Sequence, residues 1–298
     1  MSFFYGGQAV IEGVMMRGQR NMTIAVRRPD GELAVATKPL SGVYTGLLRR
    51  IPLVRGVIVL IESMSLGIRA LLYSVKIAVG EEEEIPSGVF AGVIAFSLIF
   101  AVGLFFIVPL FLTRGLDPHI SSSLVSNVVE GSIRLAVFVI YLKVVGLMPD
   151  IKRVFAYHGA EHKVINAYED GASMEVEAVR GYRTAHPRCG TGFLLVVLIL
   201  AILVFALLGR PPLWLRLVSR VALLPVIAAV GYEAIRFGAA HLKNRLVRAF
   251  VAPGLALQSM TTREPDDQQL EVALTALRGV MEADNLESAP TQQEAVPG

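Results

Sequence analysis

The sequence predicts a mainly α, polytopic membrane protein: about four transmembrane helices, interfacial helices and a small N-terminal β-hairpin element. Three observations lead there. The 298 residues are 54% hydrophobic and only 18% charged, with a mean hydropathy of +0.58, too apolar for an ordinary soluble domain. Apolar runs of about 20 residues, the length that crosses a bilayer, recur along the chain. Lysine and arginine collect in alternate connections between those runs, the pattern left by a fixed membrane orientation.

The ionisable residues narrow the class further. The formal net charge is only +3, and no basic tract is interleaved with aromatics, so the expected partner is the lipid bilayer and not nucleic acid. The single cysteine, Cys189, excludes an intrachain disulfide and fits a reducing compartment. Residues 1–16 lack the basic start, apolar run and small-residue cleavage site of a signal peptide, so the mature chain is expected to begin at or near residue 1.

Residues 1–50 read as a glycine-rich segment followed by a hairpin. Tyr5–Gly18 is punctuated by glycine and is expected to be irregular and tightly packed. Thr23–Arg28 and Glu32–Thr37 are β-prone, and Pro29-Asp30-Gly31 between them is a turn signal. A helical pattern covers 43–79. Arg55, Glu62, Arg69 and Lys76 recur every seven residues along it, drawing one polar stripe on an apolar helix. That suits an interfacial helix or one packed against a bundle, so 51–88 is assigned to it and to the acidic linker Glu81–Glu84.

Val89–Leu112 is an uncharged span. A second span, Val128–Met148, contains Arg134 and Lys143, and together these two occupy 89–148. Phe193–Leu208 is a third. Leu217–Phe237, with Arg220, Glu233 and Arg236 in or near it, is the fourth, closing a segment 193–245. Four spans put residues 1–88, the 149–192 loop and the tail 246–298 on one side. That side is rich in Lys and Arg; the other holds Arg114, Arg210 and Arg216, so both termini and the 149–192 loop are expected to be cytoplasmic. In the tail, a cap-like threonine, Pro265 and acids announce a helix with Leu270, Ala273, Leu274 and Leu277 as its stripe, with disorder expected after about Asp284.

Chemistry concentrates in 149–192. A helix starting at Pro149-Asp150 and ending at Gly171 carries Tyr157-His158-Gly159-Ala160-Glu161-His162. H-x-x-E-H is the inverted zincin pattern. Histidines four apart share one helix face and can share one divalent metal, while Glu161 can take a proton from a metal-bound water. Three ionisable groups in mid-stripe are costly to bury unless paired or coordinated. The bland alternative is a pair of interfacial histidines satisfied by hydrogen bonds. Gly159 inside a helix implies close approach of another backbone, since glycine there costs about 1 kcal/mol relative to alanine.

His186-Pro187-Arg188-Cys189 follows. Either His186 or Cys189 can supply a third ligand, most naturally to Zn2+. All four, His158, His162, His186 and Cys189, make a closed, structural site, whereas three leave an open position for catalysis. Cys189 with His186 can also form a nucleophile and base pair, and Cys189 can be a buried small residue. Glu12, between glycines, is a candidate ligand or general base, or a turn-stabilising carboxylate. Glu233 is an intramembrane acid, for which an i,i+3 pair with Arg236 is the simpler account. His241 reads as an interfacial histidine.

Four motifs in order carry a resemblance: G-G-Q-A-V-I-E-G-V-M-M-R-G at 6–18, Y-H-G-A-E-H-K at 157–163, H-P-R-C-G-T at 186–191 and T-T-R-E-P-D-D at 261–267. They resemble the YqhQ-like family of bacterial membrane proteins, over roughly residues 5–280. The resemblance implies a bacterial plasma-membrane protein. That family is described only as predicted metal-dependent enzymes of unknown function, so it implies no substrate.

The reading these motifs favour is a metal-dependent hydrolase acting at the cytoplasmic membrane interface. His158, His162, His186 and Cys189 are its candidate metal ligands, and Glu161 and Glu12 its candidate catalytic carboxylates. The alternative is a scaffold or membrane-protein biogenesis factor, with protein partners or a second copy, in which the motif is a structural metal site or a polar packing core. A transporter is disfavoured, because Glu233 is the one acid placed near a bilayer centre and no paired broken helices are visible.

Overall fold

The computed structural model describes residues 5–46, 49, 51–80, 87–209 and 211–288. The acidic linker Glu81–Glu84, Arg210 and residues 289–298 lie outside them.

The chain opens with an antiparallel four-stranded sheet in sequence order: β1 (Gly6–Val10), β2 (Gly13–Arg17), β3 (Asn21–Arg27) and β4 (Leu33–Pro39). The expected hairpin is β3–β4, turned at Gly31 with φ +90°. The segment expected to be irregular is instead a second hairpin, β1–β2. Its glycines serve close strand packing: a Cβ on Gly7 would lie 2.6 Å from the Met15 carbonyl, and one on Gly13 2.4 Å from that of Ala25. Alternation then assigns each face. Val14, Met16 and Ala25 point one way, and Met15, Met22, Ile24 and Val26 the other.

After α1 (Gly42–Thr45) the chain breaks around Pro52 and Leu53, the latter at φ +67°, so the long helix α2 begins only at Val54 and runs to Val79. Then come α3 (Ser87–Val102), a π-helical turn (Gly103–Ile107), α4 (Val108–Leu116), α5 (Ser123–Val145), α6 (Pro149–Glu169), α7 (Val176–Arg180), α8 (Gly190–Leu207), α9 (Leu213–Ala240), α10 (Arg245–Thr261) and α11 (Asp267–Ser288).

Four helical stretches are long and apolar enough to cross a bilayer: Val54–Val79, Ala91–His119, Gly190–Leu207 and Trp214–Ala240; α5 and α6 pass together, bent by 101°. Contacts separate α2 from the others. From Glu62 onward it is clothed by the sheet: Leu66 and Ala70 pack with Val10, Met15 and Ile24, and the Ser74 hydroxyl accepts from the Ile11 N–H. Only its first turns meet the bundle, with Gly56 against Ala229 and Tyr232 of α9. Ile61, Met64, Ile68 and Leu71 form an exposed apolar stripe on its other side. α2 is thus both long and apolar enough to cross a bilayer and packed along one side by the sheet.

The other candidate crossings are α3–α4, α8 and α9, with α5 added where it is taken together with α6. α5 packs on α4 and α8, and α8 on α9. The charges inside α5 and α9 neutralise each other: Glu130 takes Arg134 at 2.7 Å and both Nε and Nη2 of Arg220, at 2.9 and 2.8 Å. The Arg134 Nε–H donates to the Phe105 carbonyl in the π turn, at 2.9 Å. Glu233 does not pair with Arg236, the i,i+3 expectation. It takes Arg55 of α2, whose Nε lies at 2.6 Å.

α6 and α11 cover the sheet face opposite α2, burying Val14, Met16 and Ala25 with Tyr157, Val164, Leu270, Leu274 and Leu277. α11 is capped by Asp266, which accepts from the Gln269 N–H at 2.8 Å, rather than by the threonines. It continues to Ser288 and buries Asp284 at 4% exposure, where disorder was expected to begin.

Candidate metal centre

α6 starts where expected, with Pro149 in its first turn, and gives way at Asp170 to Gly171, whose φ of +73° stops the helix. Its middle turns are buried under β1, α11 and the segment 261–267. There the His158 and His162 rings lie one turn apart, with centroids 4.4 Å from each other. Cys189, at the N-cap of α8, brings its Sγ to 3.3 Å from His158 Nε2. Ligand atoms of His158, His162 and Cys189 all lie within 4.8 Å of one another, and they are the one such group of three among the described residues.

The remaining ring nitrogens fix the tautomers. His158 Nδ1 lies 2.8 Å from the Thr261 carbonyl and His162 Nδ1 2.6 Å from that of Thr184. A carbonyl can only accept, so each Nδ1 carries a hydrogen, and the neutral form of each ring has its lone pair at Nε2. Glu161 is oriented by the Gly7 N–H, which donates to Oε1 at 2.8 Å, leaving Oε2 3.4 Å from His162 Nε2. A carboxylate oxygen therefore faces an imidazole lone pair in a pocket where Glu161 is 6% and His162 2% exposed. Such a contact repels unless a cation or a proton lies between. Two imidazoles and a thiol suit zinc-like metals, and backbone carbonyls behind both rings are the outer partners such ligands use. The residues present fit the group.

His186 stands beside this trio but outside it. Its ring is 5.7 Å from that of His162, and its Nε2 faces Glu169 Oε2 at 3.5 Å without an aligned hydrogen bond. Its main chain is clamped by Gln258, whose amide accepts from the His186 N–H and donates to its carbonyl, both at 2.9 Å. Burial pushes the Glu169 carboxyl up, but His186 and Arg188 together outweigh that and hold it below the usual carboxylate range.

Glu12 is not brought to the histidines. It occupies the tip of the β1–β2 hairpin at φ +51°, where Arg153 binds both its oxygens, Nε at 2.5 Å, and the Tyr157 hydroxyl donates at 3.3 Å. Burial first and the Glu12 charge second keep that hydroxyl protonated by raising its pKa. β1 runs along α6, so its other end, Gly7, reaches Glu161, while eight residues of helix, about 12 Å, separate Arg153 from Glu161. Glu233 and His241 are also remote in contact. His241 Nδ1 bonds its own helix at the Phe237 carbonyl, 2.9 Å away.

The close approach expected at Gly159 is that of 261–267. A Cβ there would sit 2.1 Å from the Arg263 carbonyl. The Arg263 N–H donates to Phe155 O at 2.9 Å, Glu264 binds Lys163, and Asp267 takes Arg180 at 2.6 Å. The segment is thus a strap over α6, holding His158 through the Thr261 carbonyl. The carbonyls of Thr184 and Thr261 and the Gly7 amide escape sequence reasoning, because backbone groups have no side-chain signature; Gln258 escapes it because its partner lies 72 residues away. The T-T-R-E-P-D-D string at 261–267 was the available signal.

Comparisons with known proteins cover these same elements. The family model described as "Protein of unknown function (DUF1385)" matches residues 51–283, from the start of α2 into the end of α11. The "Uncharacterized protein YqhQ" of Bacillus subtilis (strain 168) is 34% identical over 302 residues, covering 95% of this chain and 93% of that protein. No solved structure matches the chain. The matched region holds His158, Glu161, His162 and Cys189 together with the strap that positions them, and on that extent of similarity the chain belongs to the DUF1385 family, proteins of unknown function.

Proposed function

We propose that the protein is a metal-dependent membrane hydrolase, with a divalent metal, Zn2+ by its donor set, held by His158, His162 and Cys189. The observation that carries this reading is the convergence itself: with both Nδ1 atoms tied to main-chain carbonyls, ligand atoms of His158, His162 and Cys189 lie within 4.8 Å of one another, His158 Nε2 at 3.3 Å from the sulfur. Three protein ligands with a fourth position open is the catalytic arrangement, and His186, turned to Glu169, does not close it. A metal held there would supply an activated water and polarise the bond to be cleaved. Glu161 Oε2 would be the group to accept a proton from that water and pass it on to the leaving group, with Oε1 kept in place by the Gly7 N–H. Thr191 holds the sulfur through its hydroxyl at 3.1 Å and its N–H at 3.4 Å, keeping Cys189 directed at His158.

The basic residues at the α6 end of the bundle support a plasma-membrane orientation with both termini and the centre on the cytoplasmic side. A second reading has one observation of its own. The 3.3 Å contact between Cys189 and His158 satisfies both groups without a metal, as a polar packing core in a scaffold for a protein partner or second copy requires.

Elemental analysis of the purified protein separates the two. Wild type and Glu161→Gln are expected to hold about one metal per chain, and His158→Ala/His162→Ala to hold none. Equal, near-zero metal in wild type and the double variant sinks the enzyme reading. Metal retained by Glu161→Gln with cellular function intact makes the site structural.

A further inference from the structure

An apolar cleft of about 230 Å³ lies between α8, α9 and α10. α8 and α10 cross closely at one end, where a Cβ on Gly254 would lie 3.4 Å from the Gly192 Cα. Beyond that crossing they splay, and Leu195, Ile199 and Leu203 of α8 line the opening with Phe250 of α10. From Gly192 to Leu203 is eleven residues of helix, about 17 Å. One leaflet of hydrocarbon is half of about 30 Å. The cleft therefore has the depth of a single acyl chain. Its polar end is formed by Pro187, Gly192 and Gln258. The first two flank Cys189, and the third clamps His186.

The chain that leads into and along α10 is one-signed. Between Glu233 and Glu264 the chain carries Arg236, Lys243, Arg245, Arg248 and Arg263 and no acid. Lys243, Arg245 and Arg248 are exposed at the start of α10, beside Leu246 at 81% and Phe250 at 59% exposure. A helix that combines exposed Leu and Phe with basic residues lies in the headgroup layer and selects anionic lipid.

We propose that this cleft binds one acyl chain of an anionic phospholipid, with the phosphate retained by Lys243, Arg245 and Arg248 and the polar end presented toward the Cys189 end of α8. That such a lipid is the substrate class rests on the hydrolytic reading above; that it binds here does not. The acyl chain lies along α8 from Leu203 to Gly192, and its ester end then reaches the layer of Cys189, the N-cap residue of α8, which contacts His158 of α6.

The full-length protein, reconstituted in phosphatidylcholine vesicles, is photolabelled with phosphatidylglycerol carrying a photoreactive acyl chain. The labelled peptides are mapped by mass spectrometry, with a phosphatidylcholine probe in parallel. Labels are expected on 195–203 and 249–255. Ala249→Trp, which fills the cleft from an exposed position, should reduce them severalfold. Lys243→Glu/Arg245→Glu/Arg248→Glu should weaken phosphatidylglycerol labelling about tenfold or more and leave the phosphatidylcholine signal alone. Labels spread evenly over the outer faces of α3, α5 and α8, equal labelling by both probes, or labelling unchanged in Ala249→Trp each overturn the proposal. Metal content is read on the same samples. Specific labelling of a metal-free wild type leaves the cleft assigned and removes the hydrolytic reading, whereas full metal without specific labelling does the reverse.

Discussion

Gly159 shows how much of the centre depends on one missing methyl group. With 2.1 Å between a Cβ and the Arg263 carbonyl, alanine must push the strap off α6, and the strap carries the Thr261 carbonyl that fixes His158. Alanine favours a helix by about 1 kcal/mol, but a backbone clash costs about 1–3 kcal/mol. Gly159→Ala is therefore expected to lower the thermal midpoint and the metal content together; an unchanged midpoint with full metal contradicts the strap's role. Asp284 plays a similar part at the far end of the chain, accepting from the N–H groups of Gln19, Arg20 and Asn21 in the β2–β3 turn. Asp284→Ala removes the acceptor that these N–H groups share, of which only that of Asn21 belongs to a buried residue, an expected loss of about 1 kcal/mol or more in urea unfolding, with Asp284→Asn milder. Glu169 adds a pH dependence. Its folded carboxyl titrates below the unfolded value, so its contribution is complete above the ordinary carboxylate pKa and is lost as pH falls through the depressed value. Glu169→Gln should flatten the acid side of the stability profile, and an unaltered acid limb argues against that coupling.

At the scale of elements, the spans were legible and their partners were not. The apolar runs that become α3–α4, α8 and α9 stand out by length alone. The charges inside α5 and α9 looked like defects in the pattern, yet Glu130 and Arg220 are a pair 90 residues apart. Hydropathy along a chain carries no information about contacts at that separation. Removing the shared carboxylate leaves two guanidinium groups buried, so Glu130→Gln should cost about 3–5 kcal/mol. Arg134→Met should cost less, because Glu130 keeps Arg220. Folded yield and thermal midpoint in detergent test the order, and the reverse order refutes the shared-acceptor arrangement. The β1–β2 hairpin was hidden for a different reason: its glycines signal irregular backbone in isolation and close packing only when Met15 and Ala25 lie opposite.

At the scale of the molecule, a sheet filled on both faces joins α2 to α6 and α11, and this body sits on one end of the bundle. α11 buries Leu270, Ala273, Leu274 and Leu277 against it. Deleting residues from Asp267 onward uncovers that face and removes the stabilisation of about 25 cal/mol per Å² that its apolar burial contributes. The truncated chain is expected to lose the metal even with all three ligands present; retention of stoichiometric metal contradicts a centre built by the whole assembly. Local chemistry in the sequence was enough to determine the membrane class, the motif helix with its punctuation at Pro149 and Gly171, the β3–β4 hairpin and the placing of His158, Glu161 and His162 on one face of that helix. These follow from periodicity, turn chemistry and the cost of burying charge, all of which act over a few residues. Only the tertiary structure decided that Cys189 and not His186 completes the trio, that Glu12 belongs to Arg153, and that main-chain carbonyls of Thr184 and Thr261 set the tautomers. Those choices depend on distances between segments far apart in the chain, which side-chain spacing does not encode.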